Sequence, residues 1–215
     1  MLDGRISIRF FILAAESAHF FISKNAAMMK SEKIPLGFVV ITAIVLVLAL
    51  SRLMPHPFNF SPVAALALFG GARYRNRFAA YLIPLTAVWL SDLLLNFAFY
   101  GRFVPLYDGA LVTYAAFAMI VLLGSVALRK FSAKRILLTT LSSSVLFFVV
   151  SNFGVWAFSG MYPLNVAGIG ACYTAAIPFF RNTVAGDLVY TFALFYAFEF
   201  ARQRITPLRH SIGQA

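Results

Sequence analysis

Acidic residues, histidine and cysteine are scarce in this chain. Among its 215 residues there are 7 Asp and Glu, 3 His and 1 Cys. A single cysteine excludes an internal disulfide and a Cys-x-x-Cys site. The three histidines lie in different regions, so no His-Glu-x-x-His metal motif exists, and the P-loop and Gly-x-Ser-x-Gly patterns are also missing. We therefore predict no catalytic residues, no metal and no cofactor, and we do not expect an enzyme.

Charge is sparse as well, and apolar residues are abundant. Charged residues make up 12% of the chain and hydrophobic residues 61%, whereas a soluble domain carries roughly 25% charged residues. This composition predicts an all-α integral membrane protein. The net charge of +11 does not indicate nucleic-acid binding, because the basic residues form short clusters between apolar runs.

Six apolar runs are candidate membrane spans. They are Ile34–Leu53, Phe60–Ala72, Phe78–Phe99, Gly109–Leu128, Ile136–Phe158 and Ala175–Phe200. Most have the ~20 residues that cross a bilayer, but the second is short. Loops rich and poor in Lys and Arg alternate along the chain, and this alternation is preserved only if the short run also crosses. The pattern predicts six transmembrane helices, with both termini cytoplasmic and a short second helix rich in small residues.

Three regions follow from these spans. Residues 34–204 form the predicted six-helix transmembrane domain, and residues 205–215 form a cytoplasmic tail. Residues 1–33 are predicted to be a cytoplasmic or interfacial segment, with an amphipathic helix or a mis-assigned extension as the two interpretations. The stretch SGMYPLNVAGIGACYTAAIPFF, residues 159–180, contains the longest predicted outer loop, which is long enough to cover a cavity as a lid.

Polar residues within three of the spans are the candidate binding site. Each unpaired carboxylate facing lipid would cost about 2.5–3.5 kcal/mol, so these side chains are expected to face the bundle interior or a wet cavity. We predict an outward-facing pocket in which Asp92 and Arg181 pair with each other or with a zwitterionic ligand. The structural alternatives are snorkelling of Arg181 to the outer interface, simple helix packing by the Asp92–Arg181 pair, and a bond from Asn152 to a nearby carbonyl. The predicted substrate-binding residues are Asp92, Asn96, Asn152, Trp156, Tyr173, Arg181, Asn182 and Asp187.

The second span is unusual because small residues line most of its circumference. Ala67 and Gly71 form a small-xxx-small pair, which permits close approach of another helix. One interpretation is a tightly packed central helix of this bundle, and the other is a docking face for another membrane protein. The predicted partner-docking residues are Ser61, Ala64, Ala65, Ala67 and Gly71.

Four stretches carry a family resemblance. They are PHPFNFSPVAALALFGGARY, LIPLTAVWLSDLLLN, SNFGVWAFSGMYP and IPFFRNTVAGDLVY. Together they resemble a bacterial family of small membrane proteins of unknown function. That family is similar in size and topology to the substrate-binding components of energy-coupling factor vitamin transporters, although their alanine motif lies in the first helix.

The resemblance implies a multi-pass protein of the bacterial cytoplasmic (inner) membrane. Such a protein would capture a small organic solute, a vitamin or cofactor precursor, in an outward-facing pocket. Its partners would be that solute, membrane lipid and a transmembrane coupling subunit, but no nucleic acid. Two alternatives remain open: a proton- or ion-coupled carrier in which Asp92 or Asp187 titrates, and a structural membrane partner without a ligand of its own.

Overall fold

Six helices account for the regular structure of the part of the chain that is described. The structure is a computed structural model that describes residues 36–107 and 109–204, so the predicted segment at residues 1–33 and the tail at residues 205–215 lie outside it. The helices are α1 Leu36–Ser51, α2 Val63–Arg73, α3 Arg77–Tyr100, α4 Ala110–Ala127, α5 Ala133–Phe158 and α6 Val166–Arg204.

Each predicted span overlaps one of these helices, and four of the helices are long and apolar enough to cross a membrane. These four are α3, α4, α5 and α6, with 24, 18, 26 and 39 residues. Many of their large apolar side chains are exposed on the outside of the bundle, which is the arrangement expected of a surface that meets lipid rather than water. The membrane prediction is thereby supported for these four helices, and crossing by α1 and α2 stays a prediction.

Helix α2 lies at the centre of the bundle. It packs against all five other helices, which follow one another around it in the order α1, α3, α4, α5 and α6. Every residue from Val63 to Gly71 is buried. An 11-residue helix can occupy this position because its small side chains let the neighbouring backbones come close.

The contact between α2 and α4 shows how close the approach is. A Cβ added to Gly71 would collide with the carbonyl oxygen of Val121, and one added to Gly124 would collide with the carbonyl of Leu68. Backbone therefore meets backbone, and neither position can hold a larger residue without moving a helix.

The ring around α2 is open on one side. Among the described residues α1 and α6 do not pack against each other, and a cleft of about 460 Å³ lies between them. Its lining is almost wholly apolar and includes Ile44 and Val47 from α1, and Ala193 and Ala197 from α6. None of the predicted substrate-binding residues lines this cleft.

Most of the stretch predicted to form a lid is helical, so that prediction is wrong for most of its residues. Helix α6 begins at Val166 and continues through Pro178 to Arg204, so only about seven residues separate it from α5. Asn165 precedes the helix, and its side-chain oxygen accepts a 2.8 Å hydrogen bond from the backbone N–H of Gly168, in the manner of a helix N-cap. The glycines and prolines of this stretch suggest a loop, but an uninterrupted helix satisfies the backbone better in hydrocarbon.

Candidate functional site

A charged cluster joins α1, α3 and α4 at the end of the bundle where α1 ends and α4 begins, the end predicted to face outward. Arg52 Nη2 lies 2.7 Å from Asp92 Oδ1. Tyr114 donates its hydroxyl to the other carboxylate oxygen of Asp92 at 2.6 Å. We call Arg52, Asp92 and Tyr114 the outer cluster.

The helices place these three side chains together for local reasons. Arg52 follows the last residue of α1, and its Nη1 also donates to the hydroxyl of Ser91 and, at 3.3 Å, to the carbonyl of Val88. Ser91 in turn donates to that same carbonyl at 2.7 Å. These bonds fix Arg52 along one turn of α3. Its other amino group, Nη2, faces Asp92, which is the residue after Ser91.

The outer cluster is sheltered but still accessible. The side chains of Arg52 and Asp92 are 14% and 17% exposed, so water or a small solute can reach the pair. Such a charge pair is bound more strongly than one at the surface, but its desolvation is incomplete. Among the predicted site residues, Asp92 is thus a charged group in an ion pair that solvent can still reach.

The loop between α3 and α4 packs against α3 on both sides of Asp92 in the sequence, at Trp89 and Phe97. Trp89 of α3 donates its indole N–H to the carbonyl of Pro105 at 2.9 Å, and the rings of Phe97 and Phe103 stack with centroids 4.6 Å apart. We call residues 102–107 the capping loop. It is flanked by Gly101 and Gly109, whose φ angles of 67° and 81° are readily adopted by glycine alone.

Arg181 is not paired with Asp92, so the first of the two predicted arrangements, a direct ion pair between them, is wrong. Helices α3 and α6 do not touch within the described residues, and Arg181 is exposed. The prediction rested on depth, because the position of Arg181 near the start of its apolar run places it at a depth in the membrane similar to that of Asp92. Two residues at similar depth need not be close together. The neighbouring Asn182 is also exposed and donates to the carbonyl of Phe58 at 3.0 Å.

The predicted residues of α5 are engaged by nearby backbone. Asn152 donates to the carbonyl of Phe148 at 2.8 Å, which agrees with the structural alternative. Trp156 donates to the carbonyl of Pro163 at 3.0 Å. The remaining aromatic candidate, Tyr173 of α6, donates to the carbonyl of Val149 at 2.6 Å. These bonds tie α5 to the turn that follows it and to the first half of α6.

Asp187 forms a second and separate polar site between α5 and α6. Its side chain is buried, at 3% exposure, and Ser144 Oγ lies 2.6 Å from Asp187 Oδ2. Neither of the two ion pairs among the described residues, Arg52–Asp92 and Arg202–Glu199, includes Asp187. Asn96, four residues after Asp92 on α3, is half-buried. The eight predicted residues thus belong to several separate sites and do not line one pocket.

The docking prediction for α2 is also corrected. Ala64, Ala65, Ala67 and Gly71 are buried by helices of the same chain, and only Ser61 before the helix is half-buried. A partner protein cannot reach these side chains in this bundle. The alternative interpretation, a central packing helix, describes them correctly.

Sequence reasoning missed Arg52, Tyr114 and Ser144 as site residues. In the sequence Arg52 contributes only to the sidedness pattern, yet it is a lone cation in a charge-poor outer loop at the predicted depth of Asp92. That coincidence is a usable signal. Tyr114 and Ser144 carry no comparable signal, because a single hydroxyl in an apolar helix usually bonds its own backbone.

Residues 32–209 match a protein family described as Family of unknown function (DUF6580). Comparisons with curated proteins and with solved structures gave no significant match. Because the family match covers most of the 215 residues, the chain belongs to this family of unknown function.

Proposed function

We propose that the protein is a membrane transport component that captures a small organic solute at the outer cluster. The observation that supports this best is the pair Arg52–Asp92, which is sheltered and partly accessible and lies on α3 near an aromatic loop that is held by Trp89 and Phe97. Pockets for small molecules combine apolar and aromatic walls with a few orienting polar groups. The bacterial cytoplasmic membrane, a vitamin or cofactor precursor as solute, and a coupling subunit are parts of this proposal that come from the resemblance to vitamin-uptake components.

A zwitterionic solute suits this site. Its anionic group would bind Arg52 and its cationic group would bind Asp92, so each protein charge exchanges one partner for another. An ion with a single charge would leave one side chain of the pair without a partner, at a cost of several kcal/mol in a sheltered site. Tyr114 can hold Asp92 in place during the exchange, because its hydrogen bond is made to the second carboxylate oxygen.

Movement of the capping loop would widen the access to the outer cluster. The Trp89 bond to Pro105 and the stacked Phe97 and Phe103 rings hold this loop in the described conformation. Gly101 and Gly109 at its ends are suited to absorb the backbone rotation. The lid of this proposal is therefore the α3–α4 loop.

Retained-ligand mass spectrometry on the purified protein tests the proposal. A panel of vitamins and cofactor precursors follows, with thermal stabilisation as the measure of binding. Asp92→Asn and Arg52→Gln should each abolish the stabilisation by the compound that wild type binds. Arg181→Gln is the matched control, since it removes the same charge from an exposed position, and it should bind normally. Equal loss of binding in all three variants, or none in any, would refute the assignment of the site.

A proton- or ion-coupled carrier is the second candidate, and the buried Asp187 favours it. A carboxyl group in the bundle interior with no cationic partner among the described residues is the usual mark of an ion pathway. Purified protein in liposomes should then take up solute without ATP or another subunit. Loss of uptake in Asp187→Asn would support this candidate, and uptake that depends on an added coupling subunit would exclude it.

A further inference from the structure

The hydroxyl of Ser144 has two oxygen neighbours and only one hydrogen. Ser144 Oγ lies 2.6 Å from Asp187 Oδ2 and 3.0 Å from the backbone carbonyl oxygen of Thr140. Both distances are those of O–H···O hydrogen bonds. A serine hydroxyl can donate one such bond, and both neighbouring groups are acceptors if Asp187 is ionised.

A carbonyl oxygen cannot donate a hydrogen, and the Thr140 carbonyl also accepts from Ser143 Oγ at 2.8 Å. Only a proton on the carboxyl group would therefore give each of the two Ser144 contacts a hydrogen of its own. If Asp187 is protonated, it donates to Ser144 Oγ, and Ser144 then donates to the Thr140 carbonyl. Every short contact in this chain of three groups then has its own hydrogen. The 2.6 Å distance also fits a carboxylic acid that donates to a hydroxyl.

The surroundings of Asp187 favour the neutral acid. The hydroxyl of Ser144 faces it from α5. On the other side the chain before α2 packs closely, since a Cβ added to the preceding residue, Gly186, would lie only 3.0–3.2 Å from the backbone of Phe60 and Ser61. Neither ion pair among the described residues includes Asp187. A lone ionised carboxylate in such a place would be strongly destabilising.

Thr191 supplies a further polar group. It lies one turn after Asp187 on the same face of α6, and its side chain is fully buried at 0% exposure. Helical side chains lean toward the N-terminal end, so the Thr191 side chain lies over the turn that carries Asp187. Its hydroxyl has no hydrogen-bond partner among the described residues, although a buried hydroxyl normally has one.

We propose that Asp187 is a proton-binding site, in which the carboxyl group holds the proton in its hydrogen bond to Ser144 Oγ. In the described state the carboxyl group is neutral and donates to Ser144. The site lies apart from the outer cluster, and its existence does not rest on the binding of a solute there.

Infrared difference spectroscopy on the full-length protein in detergent or lipid tests the assignment. The wild-type minus Asp187→Asn spectrum at neutral pH should contain the carbonyl stretch of a protonated carboxylic acid, and this band should shift in heavy water. The Asp92→Asn spectrum is the matched control, because Asp92 is paired with Arg52. It should show the loss of a carboxylate band only.

Asn is a faithful mimic of the neutral acid, since its amide N–H can donate to Ser144 Oγ as the acid does. Asp187→Asn should therefore melt at the wild-type temperature. If that variant does not fold, Ser144→Ala gives the same information, because removal of the hydrogen-bond acceptor should move the acid band to higher frequency without abolishing it.

Two results would overturn the proposal. One is a carboxylate band, and no acid band, assigned to Asp187 by either variant. The other is a carboxylate band that changes when sodium is replaced by a large organic cation, which would assign the site to a metal cation.

Discussion

The pairing of Arg52 with Asp92 makes a quantitative prediction for a double-mutant cycle. The single substitutions are Arg52→Gln and Asp92→Asn, and each leaves one charge without its partner. Exposed ion pairs contribute about 0–1 kcal/mol, and breaking a fully buried pair costs about 3–5 kcal/mol. At 14% and 17% side-chain exposure, this pair lies between these limits, and each single substitution should cost about 2–3 kcal/mol.

The double variant should cost less than the sum of the two single variants. Once both charges are gone, no unpaired charge remains, and we expect a coupling free energy of about 1.5–2 kcal/mol, within the range measured for contacting residues. The assay is equilibrium unfolding in mixed micelles. Tyr114→Phe, which removes one hydrogen bond to Asp92, should cost about 1 kcal/mol, as interhelical hydrogen bonds in membranes do.

The cycle also discriminates between the two candidate partners of Asp92. In the matched cycle, Arg181→Gln is combined with Asp92→Asn. The changes in unfolding free energy should add within about 0.5 kcal/mol, because α3 and α6 do not touch within the described residues. Coupling to Arg181 of the size expected for Arg52, or no coupling to Arg52, would refute the geometry of the outer cluster and with it the proposed solute site.

Three further substitutions test the packing and the capping loop. Gly124→Val should destabilise the protein by about 3 kcal/mol or prevent folding, since its Cβ would collide with the backbone of Leu68. Gly170→Ala, with open space around the added Cβ, should instead stabilise the exposed turn of α6 by about 0.5 kcal/mol, and chemical unfolding measures both. Trp89→Phe loses the bond to Pro105 and should speed trypsin cleavage at Arg102 in the capping loop, whereas an unchanged cleavage rate would show that the bond does not hold the loop.

The sequence is sufficient to predict the helices but not all their boundaries. Hydropathy locates all six helices, and the small residues of α2 correctly indicate a central position. The predicted start of α6 is misplaced because the stretch before Pro178 is rich in glycine and proline, which end helices in water. In hydrocarbon each unpaired backbone group costs several kcal/mol, and the helix therefore continues through that proline, starting after the Asn165 cap.

The site is harder to predict because depth in the membrane does not determine which residues meet. Asp92 and Arg181 have similar predicted depths, yet their helices lie on different sides of α2 and do not touch within the described residues. The order of helices around a bundle depends on packing between specific faces, and these faces are uniformly apolar here. The ring order α1, α3, α4, α5, α6, which brings Arg52 to Asp92, cannot be read from hydropathy.

The expectation that polar side chains in hydrocarbon need a partner is correct, but more than one kind of partner can meet this need. Asn152, Trp156 and Tyr173 each satisfy it with a backbone carbonyl, so they need no ligand and no shared cavity. The two aspartates differ from them, because a carboxylate needs a compensating charge as well as a hydrogen bond. Arg52 supplies that charge to Asp92. A ligand can take the place of Arg52 only if it brings a positive charge of its own. Asp187 has no cationic partner among the described residues and is best compensated by a proton. The proposed ligand selectivity at the first site and the proposed proton binding at the second thus follow from one electrostatic requirement met in two ways.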